Sequence, residues 1–430
     1  MHSLAVALRG KGVRKLVERS TRIVSRYGLT VDRLAHELQL FATLAGEFQA
    51  RPSFPITTVV LARHLNLIRR WHAAGVEFAI HGYRHVDYST LPVEHQITHV
   101  RAAQAAFAQA GLTARGFRAP YLRFNPVTLG AIQGQGLSYD ASPALAWPVS
   151  NGRNTPAYQR VLEFFGARST NEQPAVPWIE DDLVRIPYSL PDDESLIERL
   201  GMTTSEAMSG LWLGVLQLSH ARGELFTLGL HPERTSLCLE ALRAVLAAAS
   251  AMRPTVWLAR LDEIADWWRE RRVAQLNVWA DGAGSFRVHY SGPIGTTLLM
   301  RGATARIATL PWADGYARVT ASPGESFNIE SIHSPLLGLA PDTAPAAVEF
   351  LRQQGYVVEI NPRPQTGVYL QGLRDFADED RLPLLARIEA SDGPLLRFGR
   401  WPNGTRSALA LTGDIDALTI WDYGLRFIGG

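Results

Sequence analysis

Residues 76–85 read Val-Glu-Phe-Ala-Ile-His-Gly-Tyr-Arg-His, a short apolar run that stops on a histidine and repeats the histidine four positions later. Short runs of β-branched and aromatic residues bounded by glycine read as buried strands. Outward from this stretch the same unit recurs. A β-rich run, Phe54 to Ala62, and a helix from Leu65 to Ala74 closed by Gly75 precede it. Helix Val93 to Ala110, strand Ala114 to Phe117, helix Pro126 to Gln133 and strand Leu137 to Tyr139 follow. Further on come strands Val184 to Tyr188 and Leu225 to Leu230, helix Ser236 to Met252, strand Thr255 to Ala259 and helix Asp262 to Arg271. Before the first strand, Val13 to Tyr27 and Val31 to Phe48 read as helices, broken at Gly28. Strand–helix alternation of this kind predicts a parallel α/β architecture, a barrel being compatible with it.

The pattern changes after Arg272. Between Ala274 and about Leu339 short alternating segments, among them Leu276 to Ala280 and Phe286 to Tyr290, are separated by glycine and proline turns, and no helical period is present. This predicts a small antiparallel β-sandwich. Helices Thr343 to Gly355 and Asp380 to Ala390 and strands Tyr356 to Ile360, Leu395 to Phe398 and Ser407 to Thr412 then restore an α/β pattern, and the chain ends in a helix-like stretch.

In parallel α/β folds ligands and catalysts collect at the carboxyl ends of strands. Here Val76 to Ile80 is followed by His81, the run ending at Phe117 by Arg118, that ending at Tyr139 by Asp140, that ending at Leu230 by His231, and Ser407 to Gly413 by Asp414 and Asp416. Each has an ordinary structural explanation. His81 and His85 are two of 12 histidines and could be unrelated; both rings can face one point if the segment turns helically after the strand. Asp414 and Asp416 point the same way in an extended chain, yet Asp416 could equally cap a helix over the residues that follow it. Arg118 could lie on the surface beside Pro120, His231 could close a strand end, and Asp140 could make an Asx turn before Pro143. Five strands ending this way are hard to obtain by accident.

The bulk composition narrows the class. The chain has 430 residues, 46% of them hydrophobic and 20% charged, enough for two or three domains. Basic and acidic residues number 43 and 41 and are mixed along the chain. With no Lys/Arg run, nucleic acid is a poor partner. The single cysteine, Cys238, excludes an internal disulfide framework and multi-thiolate metal sites. No apolar run approaches the ~18 residues of a membrane span; Ala207 to Leu218 reads as a core helix. The first residues lack an apolar core before their basic positions, which argues against a secretory signal and for the cytoplasm.

Taken together, His-Gly-Tyr-Arg-His, Arg-Ala-Pro-Tyr (118–121), Tyr-Asp-Ala-Ser (139–142), Leu-Gly-Leu-His (228–231) and Thr-Gly-Asp-Ile-Asp (412–416) resemble the motifs of the polysaccharide deacetylase family (NodB-like, carbohydrate esterase family 4). The Asp-x-Asp motif normally opens that domain, whereas here it lies at the far end, which implies a circular permutation. The fold expected from the resemblance is a distorted (β/α) barrel spanning 1–272, completed by about 405–430 within a 341–430 α/β segment. The β-sandwich of 273–340 would be inserted between them. The last strand is expected to dock beside the run from Phe54 to Ala62; compact domains tolerate such rewiring because their termini often lie close together.

The resemblance also implies roles. His81, His85 and Asp416 would hold one divalent metal, with zinc suited to such ligands and cobalt, nickel or iron as alternatives. Asp414 would be the general base, paired with Arg118. His231 would be the general acid, held by Asp140. Tyr121 would offer its backbone N–H to the oxyanion, and Leu228 with Leu230 would line an acetyl pocket. The implied substrate is an N-acetylated sugar in a polymer, oligosaccharide or lipid-linked glycan. An N-formyl sugar or cyclic amide on the same site, or non-catalytic carbohydrate binding through the sandwich, are the alternatives. Trp147, Trp178 and Tyr188 could stack on a sugar, and Asp192 and Asp193, beyond another strand end, could contact it.

Overall fold

The computed structural model describes residues 26–149, 155–361 and 366–424. Most of the expected helix Val13 to Tyr27 lies outside the described residues, as does the end of the terminal helix-like stretch, of which Ile420–Gly424 is helical.

The main sheet is built on eight short strands, numbered here in chain order. They are β1 (Ser53–Ile56), β2 (Glu77–Ile80), β3 (Gly116–Phe117), β4 (Tyr139–Asp140), β5 (Leu183–Arg185), β6 (Leu225–Gly229), β7 (Val256–Leu258) and β8 (Ser407–Thr412). In space they run β6-β8-β1-β2-β3-β4-β5, all parallel, with the antiparallel strand Trp178–Glu180 at the β5 edge and β7 also paired to β8. The sheet curls into part of a barrel. Strand Tyr188–Leu190 lies inside its gap, where Ser189 Oγ accepts from the Thr227 amide at 3.2 Å.

The last strand is therefore central. All six residues of β8 are buried, and it pairs with β6 on one side and with β7 and then β1 on the other. Its docking beside β1 is carried forward by a bridge between Ile56 and Ile415. Helices Asp32–Glu47, Ser205–Arg222 and Thr235–Ala251 cover the outer face, and their apolar residues join those of β1, β2, β6 and β8 in the largest core.

Two strand expectations are corrected. The run Phe54 to Ala62 is strand only to Ile56; Thr58–Arg63 is helix despite its β-branched residues. The chain must turn at the sheet edge, and the first amides of that helix, Thr58 and Val59, donate to the carbonyls of Gly82 and Tyr83. Local propensity yields to that tertiary placement. The expected strand Val184 to Tyr188 divides at Pro187, which removes a ladder donor, so that Leu183–Arg185 stays in the main sheet and Tyr188–Leu190 joins a separate one.

After residue 274 two four-stranded antiparallel sheets share one core that includes Val288, Leu298, Ile329 and Leu396. Strand Leu395–Phe398 belongs to the second of these sheets, pairing with Leu298–Arg301, so this β region draws on residues beyond 340. Ser334–Leu339 is instead the middle strand of a parallel three-stranded sheet packed by helices Pro345–Gln353 and Arg381–Glu389. No helix among the described residues is long and apolar enough to cross a membrane.

Candidate active site

The site lies at the carboxyl ends of the strands. β2 delivers His81, whose amide is fixed by the Ile56 carbonyl at 2.9 Å. The turn that returns His85 toward it is a bend rather than a helical turn, made by Gly82 at φ +74. A Cβ there would also meet the Tyr88 ring at 2.8 Å, so glycine is required twice over. The two imidazole rings end 5.2 Å apart.

Beyond β8 the chain narrows at Gly413, where a Cβ would sit 1.9 Å from the Leu230 carbonyl oxygen. Ile415 is pinned by the Pro55 carbonyl on its N–H and by the Thr57 amide on its C=O, at 2.8 and 3.3 Å. With Ile415 held against β1, period-two alternation turns Asp414 and Asp416 together to the other face. Asp416 is no helix cap; the terminal helix begins at Ile420, where Asp422 accepts from the Thr419 amide at 3.0 Å.

These residues converge. Asp416 Oδ1 lies 3.4 Å from His81 Nε2 and 3.3 Å from His85 Nε2, and Asp414 Oδ2 lies 3.6 Å from His81 Nε2. One ligand atom from each of His81, His85 and Asp416 fits within 4.8 Å. His81 Nδ1 contacts the Arg118 carbonyl at 2.9 Å, which leaves Nε2, fully buried and without a hydrogen-bond partner, to face the two carboxylates. Such a ring is fixed in the orientation and tautomer of a metal ligand. Two imidazoles and a carboxylate are the donor set of open-sited divalent cations, so the residues fit one.

Arg118, fully buried, spans the interior. Its Nη1 donates to Asp414 Oδ1 at 2.8 Å and to Thr412 Oγ1 at 3.0 Å, its Nε to the Ala141 carbonyl at 3.0 Å, and it lies over the Tyr188 ring at 4.7 Å. Burial works against charge on Asp414, but His81 and Arg118 outweigh it and hold the carboxyl below its ordinary range.

His231 has a different partner from the one expected. Its Nδ1 lies 2.8 Å from Asp193 Oδ1, and its backbone N–H donates to the same oxygen at 3.2 Å. Burial opposes protonation of His231; Asp193 reverses this and holds the imidazole well above its ordinary value. Asp140 serves elsewhere. It pairs with Arg185 at 3.0 Å and accepts from Ser142, whose hydroxyl in turn accepts the Ala119 amide at 2.8 Å. It thus secures the Arg118–Tyr121 loop, because β4 and β5 are neighbours and the strand that carries His231 is not. Asp193 follows Tyr188–Leu190, which lies beside β6, and sequence alone marks it only as a polar residue past a strand end. Asp192, Asp193 and His231 also lie within ligand reach of one another, but Asp192 is already engaged by the Tyr188 hydroxyl and the Ser195 amide.

Leu228 and Leu230 do not line the site. Alternation along β6 turns them outward into the helix-facing core, while Gly229 faces the Tyr188 hydroxyl, which a Cβ would meet at 2.0 Å. The cavity, about 570 Å³, is lined by His85, His231, Asp414 and Asp416, with Tyr121 and Phe164 on its wall. Tyr121 has φ +59 and sets its ring against His85 at 4.2 Å. Trp147 is core, bonded to Ser189, and Trp178 packs with Arg185.

The polysaccharide deacetylase family model matches residues 35–139. No curated protein matches the chain. Among solved structures it is similar to an allantoinase (20% identity over 54% of this chain and 72% of that one, TM-score 0.44). It is similar also to a probable polysaccharide deacetylase from Pseudomonas aeruginosa PAO1 (21% identity over 58% of this chain and 75% of that one, TM-score 0.44). The matched segment contains β1 to β3 with both histidines and Arg118. The likeness to the polysaccharide deacetylase family model is confined to residues 35–139.

Proposed function

We propose that the chain is a metal-dependent hydrolase that removes an N-acetyl group from an amino sugar of a polysaccharide, oligosaccharide or lipid-linked glycan. The observation that carries this reading is that one cavity is lined by a carboxylate backed by arginine, Asp414 with Arg118, and an imidazole backed by a carboxylate, His231 with Asp193, around the His81–His85–Asp416 triad. Deacetylation needs that pair, because the attacking water must lose a proton and the amine is a poor leaving group until it gains one.

His81, His85 and Asp416 would hold the divalent cation, zinc by donor type, with cobalt, nickel or iron able to substitute. Bound there, such an ion supplies Lewis acidity to the acyl carbonyl. The chain's own residues do the rest. Asp414 takes a proton from the attacking water while Arg118 fixes its orientation. As the C–N bond breaks, His231 gives its proton to the departing nitrogen, so acetate and the free amine leave. The Tyr121 N–H serves as the oxyanion donor, a contact that in comparable acyl-transfer sites is worth about 3 kcal/mol. The C-terminal position of the Asp-x-Asp motif reflects a circular permutation of the family's order.

Metal analysis of the purified chain paired with acetate release from N-acetylated oligosaccharides tests this. Wild type is expected to hold one divalent ion and release acetate, and Asp416→Ala to lose both. Equal metal in wild type and Asp416→Ala removes Asp416 from the ligand set. Turnover of N-formyl sugars or cyclic amides with no acetate from N-acetyl sugars transfers the site to that other amide chemistry.

A further inference from the structure

A second cavity of about 560 Å³ lies away from the barrel mouth, between helix Leu261–Glu270, strand Gln275–Ala280 and helix Pro345–Gln353. Arg271, Arg272 and Arg352 line it, with Glu349 as its carboxylate. Arg26 and Arg397, for comparison, have acidic partners, Glu233 and Glu389. These three make no ion pair among the described residues. Arg271 is half-buried, lies 4.4 Å over the Trp268 ring, and has one hydrogen bond, to the Gln353 carbonyl at 2.8 Å.

The groups behind Arg271 make its position costlier. Its charged neighbours are Arg400 and Arg397, both buried, and burial together with these two cations pushes its guanidinium below its ordinary value. The carboxylates beside them, Glu389 at Arg397 and Glu224 at Arg400, face those two arginines. Glu389 is shared by Arg397 and Arg301 at 3.0 and 3.2 Å, and Arg400 donates to the carbonyls of Arg222 and Gly223. Glu349 is engaged by Gln353 Nε2 at 3.0 Å. A half-buried cation backed by two others and lacking a counter-charge is stabilised by an anion in front of it. The cleft also carries Gln275 and Asn277, amides suited to hydroxyl groups.

We propose that this cleft binds a compact, sugar-sized anion bearing a phosphoryl or carboxylate group, with Arg271 and Arg352 as its charge partners. The site is separate from the metal triad and stands whether or not the barrel deacetylates sugars.

Titration calorimetry of the full chain with glucose 6-phosphate, glucuronate, inorganic phosphate and glucose tests it. At least one anionic sugar is expected to bind, more tightly than inorganic phosphate, and glucose not at all; which sugar binds assigns the phosphoryl or the carboxylate. Loss of one charge-assisted contact should weaken binding about tenfold in Arg271→Gln and in Arg352→Ala. Arg352 is exposed, so its variant, and Arg272→Glu beside it, keep the test open should Arg271→Gln fold poorly. Absence of binding by both anionic sugars, equal binding of glucose or of inorganic phosphate, or affinity unchanged in Arg352→Ala and Arg272→Glu would overturn the proposal.

Discussion

At the mouth of the barrel Asp414, half-buried, lies between His81 and Arg118 and is held below the ordinary carboxylate range. At its floor Glu77, the first residue of β2, is buried among the hydroxyls of Ser53 and Tyr139, and burial pushes it up to about 7. The floor cluster closes on helix Leu261–Glu270, whose Leu261 and Asp262 amides donate to Ser53 Oγ and Glu77 at 2.8 and 3.1 Å. Burial works against charge on both carboxylates; what separates them is the charge of their neighbours, cations at Asp414 and, at Glu77, the Asp262 carboxylate beside neutral donors. Cations keep a carboxylate ready to accept a proton, whereas neutral hydroxyls and amides make a structural joint. A buried acid is therefore a candidate for chemistry only after its partners are named.

The contrast can be broken by substitution. Asp414→Asn should lower turnover by about 10²- to 10⁴-fold, the worth of a general base, with a lesser loss of stability from leaving the buried Arg118 without its carboxylate. Turnover kept while stability falls would make Asp414 a structural residue like Glu77. Gly413→Ala should do the opposite, costing about 1–3 kcal/mol of stability because its Cβ overlaps the Leu230 carbonyl; an unaltered unfolding curve would show that the two backbones can separate. Asp193→Asn should reduce turnover about tenfold or more and move the alkaline limb of the pH–rate profile to lower pH. Its carboxylate, with lesser help from Glu233 and Asp414, is what raises His231, so without it His231 loses its proton sooner. An unmoved limb would detach His231 from the leaving-group step.

The smallest effect on turnover is expected at the floor. Burial and the neighbouring Asp262 carboxylate raise Glu77 in the folded chain from its ordinary 4.5 to about 7. The folded state thus holds the extra proton between those values, and stability falls as pH rises from about 4.5 to about 7. Replacing Glu77 with Gln should remove that slope, up to about 1.4 kcal/mol per pH unit, with turnover intact. Identical slopes in wild type and Glu77→Gln would mean that the floor is as well compensated as the mouth.

Much of the site is legible in the amino-acid sequence. Apolar runs ending in His81, Arg118, His231 and Asp414 announce where strands stop, and in a parallel sheet all stops fall on one side. The meeting of Asp416 with the two histidines follows once the last strand is placed beside β1. What escapes such a reading is set by neighbours far along the chain. Asp193 reaches His231 because Tyr188–Leu190 leaves the main sheet at Pro187, which no local pattern near His231 reveals. Leu228 and Leu230, expected in the pocket, are a different case, because alternation along β6 is enough to exclude them: a residue one position before His231 and another three before point outward. The bend after His81 is readable too, since Gly82 invites a positive φ rather than a helical turn.

The strand that unites the sheet comes from late in the chain. Thr412 bonds to the Ser53 carbonyl across 359 positions, and Asp414 meets Arg118 across 296. During synthesis β1 and β6 must wait with open edges, exposed to the wrong partners, until β8 emerges. The same wait is a form of insurance. A polypeptide arrested before residue 407 has its histidines but neither aspartate, so hydrolysis begins only when the scaffold can close, and an arrested chain should prove catalytically silent and prone to self-association.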